Sequence, residues 1–273
     1  MDFSHLHTHL HVKSGFSYGY GVATPEELVV AASRMGYEAL AITDRDGLYG
    51  VPRFLRASED AGISPIVGAE VSMEGGSHVV LLAESMTGYR SLCRLITSYR
   101  TYRMGSGLSA LQRRNPVCPL KTLLEHTEGL ICLTGAIPFG FLARRILTSE
   151  SRKRVRAEMA LLREAFGVDR LYAELTDDGT AGSRRRMRVV ETFAGECGVP
   201  TLAAHEVTYL SPTDHRLHEV LVAATNLTAL PGPGYRPTDR LYLAPPERMH
   251  KIFADRPEAL SNTAEVTERC AGR

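Results

Sequence analysis

The chain has 273 residues, 44% of them hydrophobic and 23% charged, enough for one large α/β domain or two small ones with a buried core. That composition excludes a disordered chain, and a net charge of +1 excludes a protein basic over its whole surface, leaving room only for local basic faces. The cysteines Cys93, Cys118, Cys132, Cys197 and Cys270 never form a C-x-x-C pair, so neither a disulfide framework nor a cysteine zinc site is indicated.

Phe3 to Val12 alternates as a strand does. Thr24-Pro25-Glu26-Glu27 then supplies an N-cap threonine, a proline at the first helical position and a capping-box glutamate, and the helix runs to about Met35 and stops at Gly36. Glu38 to Thr43 reads as a buried strand, and a helix from about Val51 to Ala61 ends at Gly62. Pro65 to Met73, a turn at Glu74-Gly75-Gly76-Ser77, and His78 to Ala83 form a predicted hairpin. Helices are predicted near Gly88 to Tyr99 and Leu120 to His126, then a strand at Leu130 to Thr134 and a helix from Ser151 to Phe166. The pattern continues with a strand at Arg170 to Leu175, a helix from Ala181 to Cys197, a strand at Thr201 to Leu210 and a helix from Pro212 to Thr225. Arg103 to Pro119 reads as a polar surface loop. Leu230-Pro-Gly-Pro-Gly234 opens an irregular tail with one short helix near Pro245 to Phe253. About seven strand–helix units are countable, which predicts a parallel sheet or barrel with its chemistry at the strands' C-terminal ends. No run approaches the ~18 apolar residues of a membrane span, and the opening Met-Asp-Phe-Ser-His lacks a charged lead into an apolar stretch. A cytoplasmic protein is therefore expected.

Four histidines, His5, His7, His9 and His11, fall at alternate positions of the first strand and share one face. Imidazoles gathered near acids are what zinc or manganese needs. Asp44 and Asp46 follow a buried strand, where carboxylates serve either as ligands or as turn and cap residues. Glu70 lies inside the apolar run Pro65-Ile-Val-Gly-Ala-Glu-Val71, so it must be paired, protonated or metal-bound. His205, Glu206 and Thr208 mark another strand end carrying polar groups.

Read together, these segments resemble the PHP (polymerase and histidinol phosphatase) domain at the N-terminus of bacterial DNA polymerase III alpha subunits. The resemblance rests on Leu10-His-Val-Lys-Ser-Gly-Phe-Ser17, Thr24-Pro-Glu-Glu-Leu-Val29, Ala41-Ile-Thr-Asp-Arg-Asp-Gly-Leu-Tyr-Gly50 and Pro65-Ile-Val-Gly-Ala-Glu70. Further matches follow in order: His78 to Ala83, Gly88-Tyr-Arg-Ser-Leu92, Gly129 to Gly135, His218-Glu-Val-Leu221, Leu241-Tyr-Leu243 and Asn262 to Val266. Asp46-Gly-Leu-Tyr-Gly50 is similar to the error-prone branch in particular.

The resemblance implies a distorted seven-stranded (β/α)7 barrel, with residues 1–273 as one PHP domain: a barrel core over 1–228 and an irregular tail over 229–273 packed on it. It also implies a site for up to three metal ions, built on a His-x-His pair, a following Asp or His, a His after Thr-Asp, a Glu, further His or Cys residues and a late Asp-x-His. This sequence departs from that pattern repeatedly. The pair becomes His11 and Lys13, or His9 and His11 if the strand slips by two residues. The next ligand position becomes Tyr20, the histidine after Asp44 becomes Arg45, a late Cys or His becomes Ala136, and the final triplet becomes Glu206-Val207-Thr208. Glu70 is kept, and His78 matches another family histidine.

Lys13 and Arg45 stand where metal or its ligands would be, so an ion-pair network around Glu70 and Glu206 is expected. Truncating Arg45 should then cost about 3–5 kcal/mol. The expected function is a structural or interaction module of a polymerase III alpha system for DNA replication or error-prone repair synthesis, with weak or no phosphoesterase activity, docked on a polymerase catalytic core in the same or a separate chain. The alternative is a zinc- or manganese-dependent phosphoesterase or 3′–5′ exonuclease. A phosphate pocket on Lys13 and Arg45 is a third reading. DNA is a possible partner through the basic runs Arg113-Arg114, Arg144-Arg145, Arg152 to Arg156 and Arg184 to Arg188, which otherwise read as solvated helix faces.

Overall fold

The computed structural model describes residues 7–102, 116–148, 150–230 and 237–271. His5, Arg113 and Arg114, much of the Arg103–Pro119 loop and the Pro231–Gly234 stretch lie outside the described residues.

The first strand, β1, is short (His11–Val12), and α1 spans Pro25–Arg34. The Thr24 hydroxyl accepts the Glu27 N–H while the Glu27 carboxylate accepts the Thr24 N–H, the reciprocal capping expected from that tetrapeptide. Next come β2 (Ala39–Arg45) and α2 (Val51–Ala61), the latter ended by Gly62 at φ 68°, a backbone angle that suits glycine. The hairpin strands are β3 (Ser64–Met73) and β4 (Ser77–Ala83), joined by a 3-10 turn at Glu74–Gly76. α3 (Met86–Tyr102), α4 (Leu120–Leu124), β5 (Leu130–Leu133), α5 (Phe141–Leu147), α6 (Arg152–Phe166) and β6 (Leu171–Leu175) follow. The remaining elements are α7 (Ser183–Glu196), β7 (Thr201–Ala203), β8 (Glu206–Val207), α8 (His215–Asn226), α9 (Pro246–Ile252) and α10 (Pro257–Cys270).

The six-stranded sheet has the order β2-β3-β4-β5-β6-β7. β3 and β5 each pair antiparallel to β4, and the other pairs are parallel. β1 and β8 form a separate parallel pair that bridges towards β2 through the Ala41 N–H to His9 carbonyl bond. The described strands give the expected α/β architecture as a curled, mixed half-barrel, without seven-stranded (β/α)7 closure among the described residues. The hairpin inverts one strand, and the predicted Thr201–Leu210 strand breaks at Ala204-His205 into β7 and β8.

Both sheet faces are buried, which is why β4 reads as an unbroken apolar run. Val80 and Leu82 face the concave interior with Ile66, Ile131 and Tyr172, while Val79 and Leu81 face the helices. The period of two then decides where the polar residues go. Glu70 shares the interior face with Ile66, and Glu174 shares it with Tyr172.

The chain beyond residue 229 is more regular than the expected tail. α10 lies over β7, with the Asn262 amide donating to Thr201 O and the Thr263 hydroxyl to Ala203 O, both at 2.7 Å. These bonds cover carbonyls at the sheet edge, which would otherwise stand open to another strand.

Candidate functional site

The site forms where the strand ends meet on the concave side. β1 brings His11 and leads to Lys13, β2 ends at Arg45, and β3 carries Glu70 directly beside Arg45 in the sheet register. β4 runs the other way, so its first residues reach the same rim with His78. β6 contributes Glu174, and β8 places Glu206 opposite His11.

His11 is fully buried between two acids. Its Nδ1 lies 2.9 Å from Glu174 Oε1 and its Nε2 2.9 Å from Glu70 Oε2. Burial alone would lower the His11 pKa, but the Glu174 charge and the two hydrogen bonds outweigh it and lift the ring to about 9. His11 is therefore an imidazolium at neutral pH, donating from both nitrogens.

Lys13 is also buried, and its Nζ lies 2.8 Å from Glu70 Oε2 and 2.6 Å from Glu206 Oε1. Burial opposes the ammonium, yet Glu206 and Glu70 raise its pKa above the ordinary lysine value. Burial would likewise raise the Glu70 carboxyl. The Lys13 ammonium, the His11 hydrogen bond and Arg45 together hold it well below the usual carboxylate range. His78 accepts the Ala136 N–H at Nε2, and burial pushes its pKa down to about 3. That ring is neutral, so the lasting positive charge around Glu70 comes from His11, Lys13 and Arg45.

Arg45 plays a lesser part than its sequence position suggests. Its side chain is 31% exposed, its Nε lies 3.8 Å from Glu70 Oε1 and 3.7 Å from Asp46 Oδ2, and it donates to Ser72 Oγ at 2.9 Å. The guanidinium rests 4.3 Å above the Tyr20 ring. The buried cation is Lys13, not Arg45. Arg45→Ala is accordingly expected to cost about 1 kcal/mol in a urea titration, as for a solvent-screened pair, and not the 3–5 kcal/mol of a buried one.

The remaining sequence-selected residues separate by strand parity. Asp44 points away from Arg45, towards the helices, where it accepts the Ser14 N–H at 2.7 Å and the Ser17 hydroxyl at 2.6 Å. It organises the turn after β1 and does not line the cleft. Asp46 accepts the Ser72 N–H and the Tyr99 hydroxyl. Thr208 lines the cleft, and its hydroxyl donates to Leu241 O. His9 falls outside the cluster, because two residues of extended chain carry it to another layer. There its Nε2 meets Ala244 O and the Tyr37 hydroxyl, each at 2.9 Å. The slipped His9/His11 pair is not assembled. Glu174 was not singled out from the sequence, although Leu171-Tyr-Ala-Glu-Leu175 buries an acid in an apolar strand just as the Glu70 run does.

Among the described residues one group has metal-ligand spacing: His11, Glu70 and His78, with donor atoms within 4.8 Å of one another. The residues around it do not fit a divalent ion. The Glu70 oxygen nearest His11 already faces the Lys13 ammonium at 2.8 Å, and each ring nitrogen of His11 is engaged at 2.9 Å by a carboxylate oxygen. Among the described residues three cations, His11, Lys13 and Arg45, face three carboxylates, Glu70, Glu174 and Glu206. The cleft above them, of about 210 Å³, is bordered by Tyr20, Phe139 and His218.

A half-barrel with a polar cluster at its strand ends, organised by ion pairs, defines a PHP-like α/β protein. The PHP domain family model matches residues 9–178, and the chain belongs to that family. It is 34% identical over 96% of its length to the error-prone DNA polymerase of Symbiobacterium thermophilum, covering 25% of that protein. It is also 34% identical over 96% of its length to the DNA polymerase III subunit alpha of Escherichia coli K12, covering 22% of it. The chain thus spans about a quarter of the length of these relatives. Among solved structures it is similar in fold to an amidohydrolase from Chromobacterium violaceum, with TM-score 0.52 and 16% identity over 74% of this chain and 87% of that one.

Proposed function

We propose that this PHP domain is a structural and interaction module of a DNA polymerase III alpha-type protein, serving replication or error-prone repair synthesis without hydrolysing phosphoesters in its cleft. Its partner in this reading is a polymerase catalytic core, in the same polypeptide or a separate one. The observation that carries the reading is Lys13, whose buried ammonium joins Glu70 and Glu206 at 2.8 and 2.6 Å where catalysis would need a divalent ion. A cluster neutralised by side chains holds the strand ends together but offers no Lewis acid and no activated water.

The rival reading, a metal-dependent phosphoesterase or exonuclease, draws on the spacing of His11, Glu70 and His78. The two readings separate in an assay of p-nitrophenyl phosphate and single-stranded DNA with added manganese or zinc. The expected result is no metal-stimulated hydrolysis beyond that of the double variant His11→Ala/Glu70→Gln. Robust hydrolysis by the native protein that disappears in the double variant would favour the hydrolase.

A further inference from the structure

The basic runs of the sequence differ in what the fold does with their charge. Arg152 and Arg156 both pair with Glu196, and Arg154 and Arg145 share Glu158. Arg186 is held by Asp178 and by Thr180. Helix faces α6 and α7 thus spend much of their charge internally.

Positive charge without a partner gathers elsewhere, in a separate pocket of about 460 Å³ between α7, the turn after β8, residues 239–242 and α9. Arg184, Arg240, Arg248 and Lys251 line it, with Asp239 the one acid among the described lining residues. Arg184 shares its charge with Asp177 at 3.4 Å. Among the described residues Arg240 and Lys251 form no ion pair, and the buried Nε of Arg248 has no hydrogen-bond partner. The Arg248 guanidinium is stationed 5.1 Å over the Tyr242 ring.

Arg240 is positioned as well. Its side chain packs directly over Gly179 (φ 70°), where the missing Cβ leaves room for it. The strand-like segment carrying these residues alternates: Leu241 borders the cleft, while Arg240 and Tyr242 face the basic pocket.

We propose that this pocket binds a chain of at least two phosphate groups, supplied either by a nucleic-acid backbone or by a free polyphosphate. Guanidinium forks match phosphate oxygens in pairs, and Arg240, Arg248 and Lys251, which form no ion pair among the described residues, exceed what one monovalent anion satisfies even with Asp239 nearby. The pocket shares no charged residue with the Glu70 cluster, so its test is independent of the reading given above.

The experiment compares the 273-residue chain with Arg240→Ala/Lys251→Ala, and with Arg185→Ala/Arg188→Ala as a control removing two α7 cations outside the pocket. Binding of a fluorescein-labelled oligothymidylate is read by anisotropy over a salt series, and binding of pyrophosphate by calorimetry. The pocket variant is expected to weaken binding at least ~10-fold, and for the oligonucleotide to flatten the slope of log K against log salt by roughly 0.7 per cation removed. The control should stay within about twofold of the native protein. Pyrophosphate binding alone would identify a free polyphosphate as the source; oligonucleotide binding would identify a strand. Absence of binding to either probe at low salt, or equal losses in both variants, would overturn the proposal.

Discussion

Replacing Lys13 with methionine is expected to destabilise the protein by about 3–5 kcal/mol, the largest single-residue effect in the site. Methionine keeps the length of the side chain but removes the charge that, among the described residues, Glu70 and Glu206 share within 3 Å. Glu70 would keep His11 and Arg45, but the ammonium that bridges it to Glu206 would be gone, so the two buried acids repel and one must take up a proton or draw in water. Adding Glu206→Gln to Lys13→Met should restore part of the loss, because it removes one of the stranded charges. Urea titration followed by circular dichroism measures both. A loss below ~0.5 kcal/mol for Lys13→Met would mean that the ammonium is solvated and the network is not a buried one.

The second large effect is a stability optimum near neutral pH, limited by different histidines on each side. Burial, with neighbouring His205, depresses the His9 pKa to about 3, and burial depresses His205 to about 4. His7 lies well below its ordinary value for the same reason, and His78 at about 3. Each binds its proton more tightly when unfolded, near pH 6.5, so the stability they contribute is complete above that pH and drains away as pH falls through the window towards 4 and 3.

His11 has the opposite sign. Its folded pKa of about 9 gives stability that is complete below pH 6.5 and lost as pH rises through 9. Asp44 and Asp46, whose carboxyls burial raises, oppose the acid-side trend but are outnumbered by the four imidazoles. Between pH 6.5 and 5 the unfolding free energy should fall by at least ~3 kcal/mol, at up to about 1.4 kcal/mol per pH unit for each group. Urea midpoints over a pH series report this directly. A flat profile from pH 5 to neutrality would show that these rings are solvated in the folded protein.

Much of this was legible in the residues, and the reasons for the failures are specific. The Thr24–Glu27 capping box and the Gly62 stop are local chemistry, and they mark helix ends at the expected places. Glu70 could be recognised because an acid in an apolar strand demands a partner, and the same rule applied to Glu174 would have found the second acid on His11. Strand parity could also have separated Asp44 from Arg45, since neighbours on a strand face opposite sides. What no local pattern contained was the depth of each side chain. Lys13 and Arg45 look alike as cations at strand ends, yet only the packed structure makes one buried and leaves the other partly open. α10 escaped notice because its inward stripe includes Thr263 and Thr267, whose hydroxyls are satisfied by backbone carbonyls and weaken the apolar signal. The α/β architecture was legible, but the strand–helix count could not show the hairpin, where β4 reverses direction without a helix.

The central claim is that side-chain cations occupy the place of divalent ions around Glu70. Elemental analysis after equilibrium dialysis against zinc, and separately against manganese, tests it most directly, with His11→Ala/Glu70→Gln as the reference for adventitious binding. The account predicts that the native protein retains no more metal than the double variant. One or more equivalents per chain, retained by the native protein and lost in the double variant, would contradict it.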